Sequence, residues 1–142
     1  NRLNYDSSYW PHHIQSCLDE SVCEWLEESL AIVPLFERSL GYDPLAVQNL
    51  KKEFISQLGV IGENCYEAIL DKDIKSLGLS LTATHNLWRD ILPNTTSSEI
   101  DNELMKYDNK GYGRTTSGCG GGYIFVATQE NLVNSFRVKI IR

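Results

Sequence analysis

The sequence predicts an α+β domain in which an antiparallel sheet is covered on one face by a helical hairpin and further helices. Strand-like segments lie towards both ends of the chain: the nearly continuous apolar run of residues 30–36 and the alternating residues 136–142. Between them, two long stretches repeat their apolar residues every three to five positions, as amphipathic helices do. The 142 residues are enough for a single domain, 1–142, with its own core.

The first part of the chain predicts short strands and one helix. Residues 3–6 and 10–14 are candidate strands, and Pro11 restricts the second of them to a sheet edge or a strand start. The acidic segment 19–21 then marks the start of a helix. The apolar run of 30–36 follows as a strand.

The middle of the chain predicts three helices. The first extends from about Pro44 to Leu70, and its glycines, Gly59 and Gly62, are suited to close packing against a neighbour. The second covers residues 74–91 and ends before a proline. Because the connection between these two helices is short, they should pack as an antiparallel hairpin. A third helix is predicted over residues 98–107.

A glycine run near the C-terminus stands out from the rest of the chain. Four of the five residues 118–122 are glycine, whereas a two-residue hairpin turn needs only one or two. Such a run frees successive backbone N–H groups to form a nest for phosphate oxygens. It lacks the Gly-Lys-Ser/Thr ending of a P-loop, and it precedes a strand, 123–128, rather than a helix. The alternative interpretation is a flexible hairpin connection.

Composition and charge exclude several classes of protein. The net charge of −6 disfavours a nucleic-acid partner, which requires a basic surface. No apolar run approaches the roughly 20 residues that span a bilayer, so we expect no membrane partner. The four cysteines show no metal-ligand or redox spacing, and His12 and His13 would face opposite sides of a strand. We therefore predict reduced thiols, no metal site and a cytoplasmic protein.

One motif resembles that of a known family. The sequence Ser-Gly-Cys-Gly-Gly-Gly at 117–122, followed by an apolar strand, is similar to the third conserved motif of the GHMP kinase superfamily. The match departs at Cys119, where the family usually has alanine, and at Tyr123, where many members have a further glycine. Residues 78–88 and the pair Ile100-Asp101 also resemble the helices before this motif. Other segments are most similar to heptose and fucose kinases.

The resemblance implies a fold and an activity. It implies the ferredoxin-like C-terminal domain of a kinase that uses ATP and Mg²⁺ to phosphorylate a small molecule, a sugar or sugar phosphate. The ATP-binding motif and the catalytic residues of that family belong to an N-terminal domain, and no such motif occurs in residues 1–142. We therefore expect a piece of a two-domain protein, with no catalytic residue of its own and inactive alone. An apolar face should be exposed where the missing domain would cover it.

The resemblance also assigns residues to the site. The loop beside the phosphate and the substrate would be Ser117, Gly118, Cys119, Gly120, Gly121 and Gly122, with Cys119 as a small filler of the loop. Arg114 could give a cation to a phosphate or sugar oxygen, or could be a solvent-facing strand residue. His85 and Trp88 lie on the apolar stripe of their helix, which favours core packing; the alternative is contact with a sugar.

A second function is compatible with the same residues. The glycine run could hold an anionic metabolite in a non-catalytic α+β regulatory module. The absence of a nucleotide motif or an obvious catalytic base motivates this alternative.

Overall fold

The computed structural model describes residues 1–6, 10–37, 40–117 and 122–141. The strands in this part of the chain are β1 (Arg2–Tyr5), β2 (Pro11–Gln15), β3 (Leu30–Pro34), β4 (Gly113–Thr116), β5 (Tyr123–Ala127) and β6 (Phe136–Arg137). The helices are α1 (Glu20–Ser29), α2 (Lys52–Leu70), α3 (Ile74–Ile91) and α4 (Ser98–Met105), with a 3-10 turn at Pro93–Thr95. The predicted α+β class is confirmed.

Three helices begin at polar residues that cap their free N–H groups. Asp19 accepts hydrogen bonds from the first turn of α1, and Asp73 does the same for α3. Hydrogen bonds, above all those from the Ser21 and Ser76 hydroxyls, hold the pKa of both aspartates below its usual value. The Ser97 hydroxyl caps α4 in the same way. The predicted helix starts at 19–21 and 97–98 are confirmed.

The strands form two antiparallel sheets rather than the single sheet that the sequence predicts. β1 and β2 pair as a separate two-stranded ribbon, in which Leu3 lies opposite Ile14. The larger sheet has the strand order β4-β5-β3-β6. In it, Phe125 of β5 lies between Thr115 of β4 and Ile32 of β3.

Helices pack against both faces of the larger sheet, so the prediction of a single covered face is wrong. Ile124 and Val126 of β5 form one buried cluster with Ile100 and Leu104 of α4. Ala127 points to the opposite face, because side chains alternate along a strand. It clusters with the buried residues of the helical hairpin, Ala68 and Leu77.

The helical hairpin is confirmed, and α3 also contacts the edge strand β4 directly. Residues 71–73 connect α2 to α3 through Lys72, whose φ of 56° lies in the left-handed region. A Cβ on Gly113 of β4 would lie 1.8 Å from the carbonyl oxygen of Gly78. The Thr82 hydroxyl then accepts the backbone N–H of Arg114 at 3.2 Å. The helix therefore covers a sheet edge that would otherwise be open.

The first long helix begins at Lys52 and not near Pro44. The backbone N–H of Asn49 donates to the carbonyl of Ile91 at the end of α3, and its side chain donates to the carbonyl of Asp90. These bonds satisfy carbonyls at a helix terminus. They hold the segment before α2 in a non-helical conformation that the apolar spacing does not reveal.

The C-terminal strand is also shorter than predicted. β6 pairs with β3 only at Phe136 and Arg137. Beyond it, the carboxylate of Glu27 accepts the backbone N–H of Ile140 at 2.9 Å, which replaces a strand partner. Residues 128–135 join β5 to β6 without a helix, whereas the βαββαβ order of a ferredoxin-like fold has one before its last strand.

Candidate functional site

The glycine run connects two neighbouring strands of the larger sheet. The backbone N–H of Ser117, at the end of β4, donates to the carbonyl of Tyr123, at the start of β5, at 2.8 Å. Four of the predicted loop residues, Gly118, Cys119, Gly120 and Gly121, lie outside the described residues. Their flanks nevertheless fix the run as the connection of the β4–β5 hairpin.

The far end of the loop is tied to the chain that follows β3. The carbonyl of Gly122 accepts the N–H of Leu35 at 2.8 Å, and its own N–H donates to the carbonyl of Phe36 at 3.4 Å. Gly122 has a φ of +94°, in the left-handed region that favours glycine. A side chain at this position would strain the backbone, so this glycine is required by its conformation.

Arg114 lies in β4, three residues before Ser117, and its side chain packs towards α4. Its Nε donates to the carbonyl of Leu104 at 2.8 Å, and its Nη2 lies 2.7 Å from Asp108 Oδ1. The side chain is only 13% exposed. The alternative of a solvent-facing arginine is therefore wrong. Two donor groups of Arg114 already have partners within the chain.

His85 is buried in the interface between α3 and α4. Its Nε2 lies 3.6 Å from Asp101 Oδ1. The same carboxylate accepts the Thr96 hydroxyl at 2.7 Å and lies 3.4 Å from Arg89 Nη2. The more favoured interpretation of His85, as an interior residue, agrees with this placement, although its surroundings are polar.

Burial is the main cause that lowers the pKa of His85 from its ordinary value of 6.5. The Asp101 carboxylate opposes this shift, while the charges of Arg114 and Arg89 add to it. The imidazole is consequently neutral near pH 7. His85, Arg89, Asp101 and Arg114 thus belong to one charged cluster between α3, α4 and β4, which we call the interhelix cluster.

Trp88 does not belong to the core, so the favoured prediction of core packing is wrong for this residue. Its side chain is 39% exposed. The buried face of α3 instead runs through Leu87 and Ile91, which pack with Phe54 and other residues of α2. Trp88 is one position away from this face, and its ring lies at the surface.

Sequence reasoning missed several residues of the interhelix cluster and its surroundings. Thr82, His85 and Arg89 recur at intervals of three and four along α3, which would have indicated a second, polar face of this helix. Asp101, the partner of His85 and Arg89, lies on α4, and Asp108, the partner of Arg114, lies just after α4. The sequence alone does not pair them.

A cavity of about 420 Å³ lies near Gly122, at the end of the glycine run. Phe36, whose carbonyl accepts the N–H of Gly122, forms part of its wall. Tyr42, Asp43 and Asn94 also line it, so aromatic and hydrogen-bonding groups meet there. A larger polar cavity of about 860 Å³ has other walls, mainly on α1 and near β6, and includes neither loop flank.

The comparisons with known proteins add no relative to this geometry. No family model, curated protein or solved structure matches the chain. The kinase resemblance therefore stays a prediction that depends on the residues of the glycine run and its flanking elements. Within the described ranges, no helix combines the length and the apolar character needed to cross a bilayer. The same residues contain no group of three or more His, Cys, Asp or Glu side chains placed to hold a metal ion.

Proposed function

We propose that this chain is the C-terminal domain of an ATP-dependent kinase of the GHMP superfamily, acting in the cytoplasm on a hydroxyl of a sugar or sugar phosphate. One observation supports the proposal above others. The glycine run joins β4 to β5 immediately after the helical hairpin and α4, and β5 is a largely buried strand. This is the context in which the family carries its third motif.

The proposed role of the loop follows from the chemistry of phosphoryl transfer. The transferred group carries negative charge on its oxygens, and catalysis is mostly positioning and electrostatic stabilisation. Backbone N–H groups of Gly118, Gly120 and Gly121 would supply donors without a side chain in the way. The flanks would hold these donors beside the sheet, because Ser117 is hydrogen-bonded to Tyr123 of β5 and Gly122 to the two residues that follow β3.

Arg114 and His85 would act on the loop through the scaffold. Arg114 ties β4 to the end of α4, and His85 and Asp101 tie α4 to α3. Together they fix the strand from which the loop extends. The cavity beside Phe36 would accept the sugar, because carboxylate, amide and aromatic groups suit hydroxyls and ring faces. Trp88, at the surface, stays a candidate substrate contact.

ATP and Mg²⁺ enter the proposal through the resemblance. The resemblance assigns the metal ligands and the adenine site to an N-terminal domain. When bound there, Mg²⁺ would neutralise charge on the phosphates of ATP. This chain would supply one wall of the cleft and would be inactive alone.

The test is an activity measurement on the protein expressed from the complete reading frame. We expect transfer of the γ-phosphate of ATP to at least one member of a panel of sugars and sugar phosphates, dependent on Mg²⁺. If no member is phosphorylated but the protein binds one of these anions, the regulatory alternative is favoured. A protein that neither transfers phosphate nor binds any of these anions would contradict both functions.

A further inference from the structure

Two side chains of the interhelix cluster and its border face the same carboxylate oxygen, Asp101 Oδ1. Thr96 donates its hydroxyl to this oxygen at 2.7 Å, which is an ordinary hydrogen-bond length. His85 Nε2 lies 3.6 Å from the same oxygen, which is longer than a hydrogen bond. Arg89 approaches the other oxygen, Asp101 Oδ2, at 3.4 Å. The hydroxyl, and not the imidazole, therefore holds Asp101 Oδ1 in this structure.

The charges around His85 balance only while its imidazole is neutral. The charged groups that face it are Asp101 of α4, Arg114 of β4 and Arg89 of its own helix. Asp101 and Arg114 are 19% and 13% exposed, so one largely buried carboxylate faces one largely buried guanidinium. The half-exposed Arg89 and Asp108 add one charge of each sign. A proton on the buried His85 would add a second buried cation, which is costly unless an anion approaches it.

The anion available to a protonated His85 is Asp101, and reaching it would draw the carboxylate away from Thr96. An N–H···O bond requires about 2.7–3.2 Å, so Nε2 and Oδ1 must approach each other by roughly 0.5 Å. The imidazole is enclosed between α3 and α4, whereas the carboxylate can rotate about its own side-chain bonds. That rotation lengthens the bond from the Thr96 hydroxyl to the same oxygen.

Thr96 connects this carboxylate to the cavity near Gly122. Thr96 and Ser97 both line that cavity of about 420 Å³. Thr96 directly precedes the N-cap of α4, where the Ser97 hydroxyl accepts the N–H of Ile100 at 3.2 Å. A Thr96 hydroxyl that leaves Asp101 is consequently a hydrogen-bond donor on the cavity wall.

We propose that His85, Asp101 and Thr96 form a proton-sensitive switch that controls a hydrogen-bond donor on the wall of this cavity. With a neutral imidazole, the Thr96 hydroxyl is bound to Asp101. With a protonated imidazole, His85 donates to Asp101 Oδ1, and the Thr96 hydroxyl is released to a ligand in the cavity. By linkage, a ligand that accepts from Thr96 favours protonation of His85 to the same degree. Only the identity of that ligand, a sugar or sugar phosphate, rests on the proposed function.

The first test follows the imidazole of His85 and the backbone amides of Thr96 and Ser97 by NMR while the 142-residue chain is acidified. Burial lowers the pKa of His85, so the transition should lie below pH 6.5. The two amides should follow the titration curve of the imidazole. In His85→Gln this component of their curves should be lost. Amide curves that are unchanged in His85→Gln would overturn the proposal, because nearby carboxylates would then be their cause.

A second variant tests the competition for the shared oxygen and leaves the imidazole in place. Thr96→Val removes the hydroxyl but keeps a β-branched side chain of similar shape. Asp101 Oδ1 then has no competing donor, so the proton affinity of His85 should rise about threefold, as the gain of one modest hydrogen bond gives. An unchanged or lowered proton affinity would overturn the proposal, whether or not His85→Gln folds.

The matched control is Thr84→Val, which makes the same change next to His85 in the sequence of α3. It leaves the bond between Thr96 and Asp101 intact, so the proton affinity of His85 should change by less than about 1.5-fold. A rise in Thr84→Val equal to that in Thr96→Val would also overturn the proposal, because the effect would not be specific to the shared oxygen.

These measurements use neither ATP nor a sugar, so the switch and the proposed function can fail separately. A kinase in which His85 titrates independently of Thr96 would refute the switch alone. Coupled titration in this chain, together with a complete protein that phosphorylates nothing, would refute the kinase alone.

Discussion

Two pairs of glycines at the helical hairpin differ in their surroundings. Gly78 of α3 and Gly113 of β4 approach so closely that a Cβ on either would overlap the backbone of the other element. Gly59 and Gly62 of α2 have open space where a Cβ would be. The first pair is required by the packing of this chain. The second pair is not required by that packing.

The crossing of α3 and β4 also positions the candidate site. It brings the Thr82 hydroxyl to the N–H of Arg114 and places α3 beside α4, where His85 meets Asp101. α3 and α4 thus both fix the position of β4 just before the glycine run begins. Around Gly59 and Gly62 the surface of α2 is open, and the nearby Val60 and Ile55 are at least half exposed.

Breaking the α3–β4 crossing should have the largest effect on stability. In Gly113→Ala the new Cβ would lie 1.8 Å from the Gly78 carbonyl oxygen, and a backbone atom cannot rotate away as a side chain would. We expect a loss of about 3 kcal/mol in the free energy of unfolding. Urea unfolding measures it, and a loss below about 1 kcal/mol would show that the helix can move away without cost.

Removing the shared carboxylate of the interhelix cluster should have the next largest effect. Asp101→Ala leaves the Thr96 hydroxyl without its acceptor and removes the carboxylate that lies beside Arg89 and the buried His85. We expect a loss of about 2 kcal/mol, because hydrogen bonds to charged groups are stronger than neutral ones. Urea unfolding of Asp90→Ala, an exposed aspartate at the end of α3, is the control and should change by less than about 0.5 kcal/mol.

Acidification should test the burial of His85. Its pKa is lowered in the folded protein, so between that value and the ordinary 6.5 the unfolded chain binds the proton and the folded one does not. The stabilising contribution is complete above about pH 6.5 and is lost as the pH falls through this window. Unfolding at pH 7.5 and pH 5.5 should show a larger loss for the unmodified chain than for His85→Gln. Equal losses of stability in the two proteins would contradict a lowered pKa of His85 in the folded chain.

The smallest effect should come from the open glycines. Gly62→Ala should stabilise the 142-residue chain by up to about 1 kcal/mol, because alanine has the higher helix propensity and its Cβ has space. Urea unfolding measures the gain. A loss of stability in Gly62→Ala would contradict the open surroundings of this glycine.

Local signals predicted much of the fold. The caps at Asp19, Asp73 and Ser97 depend on a few adjacent residues, and their positions in the sequence are sufficient to locate them. The start of α2 depends instead on Asn49, which is bound to the distant end of α3. The bounds of β4 were not predicted, because its strand character comes from pairing with β5 and not from its own sequence.

The candidate site was less accessible to sequence reasoning. The position of the glycine run before a buried strand was predictable, since turn and strand chemistry are local. The placement of Arg114 was not predictable, because its partners are Leu104 of α4 and Asp108 just after α4, ten and six positions away. Trp88 shows how a periodic pattern fails: Leu87, one residue earlier, occupies the buried face instead.

The most direct test of the proposed function compares two glycine substitutions in the protein from the complete reading frame. Gly121→Asp places a carboxylate in the proposed phosphate loop, whereas Gly62→Asp places the same group in open space on α2. We predict that Gly121→Asp lowers kcat by about 100-fold or more, as loss of transition-state donors does, while Gly62→Asp changes it by less than about threefold. A Gly121→Asp protein that retains near-normal turnover would contradict the assignment of the glycine run to the phosphate site.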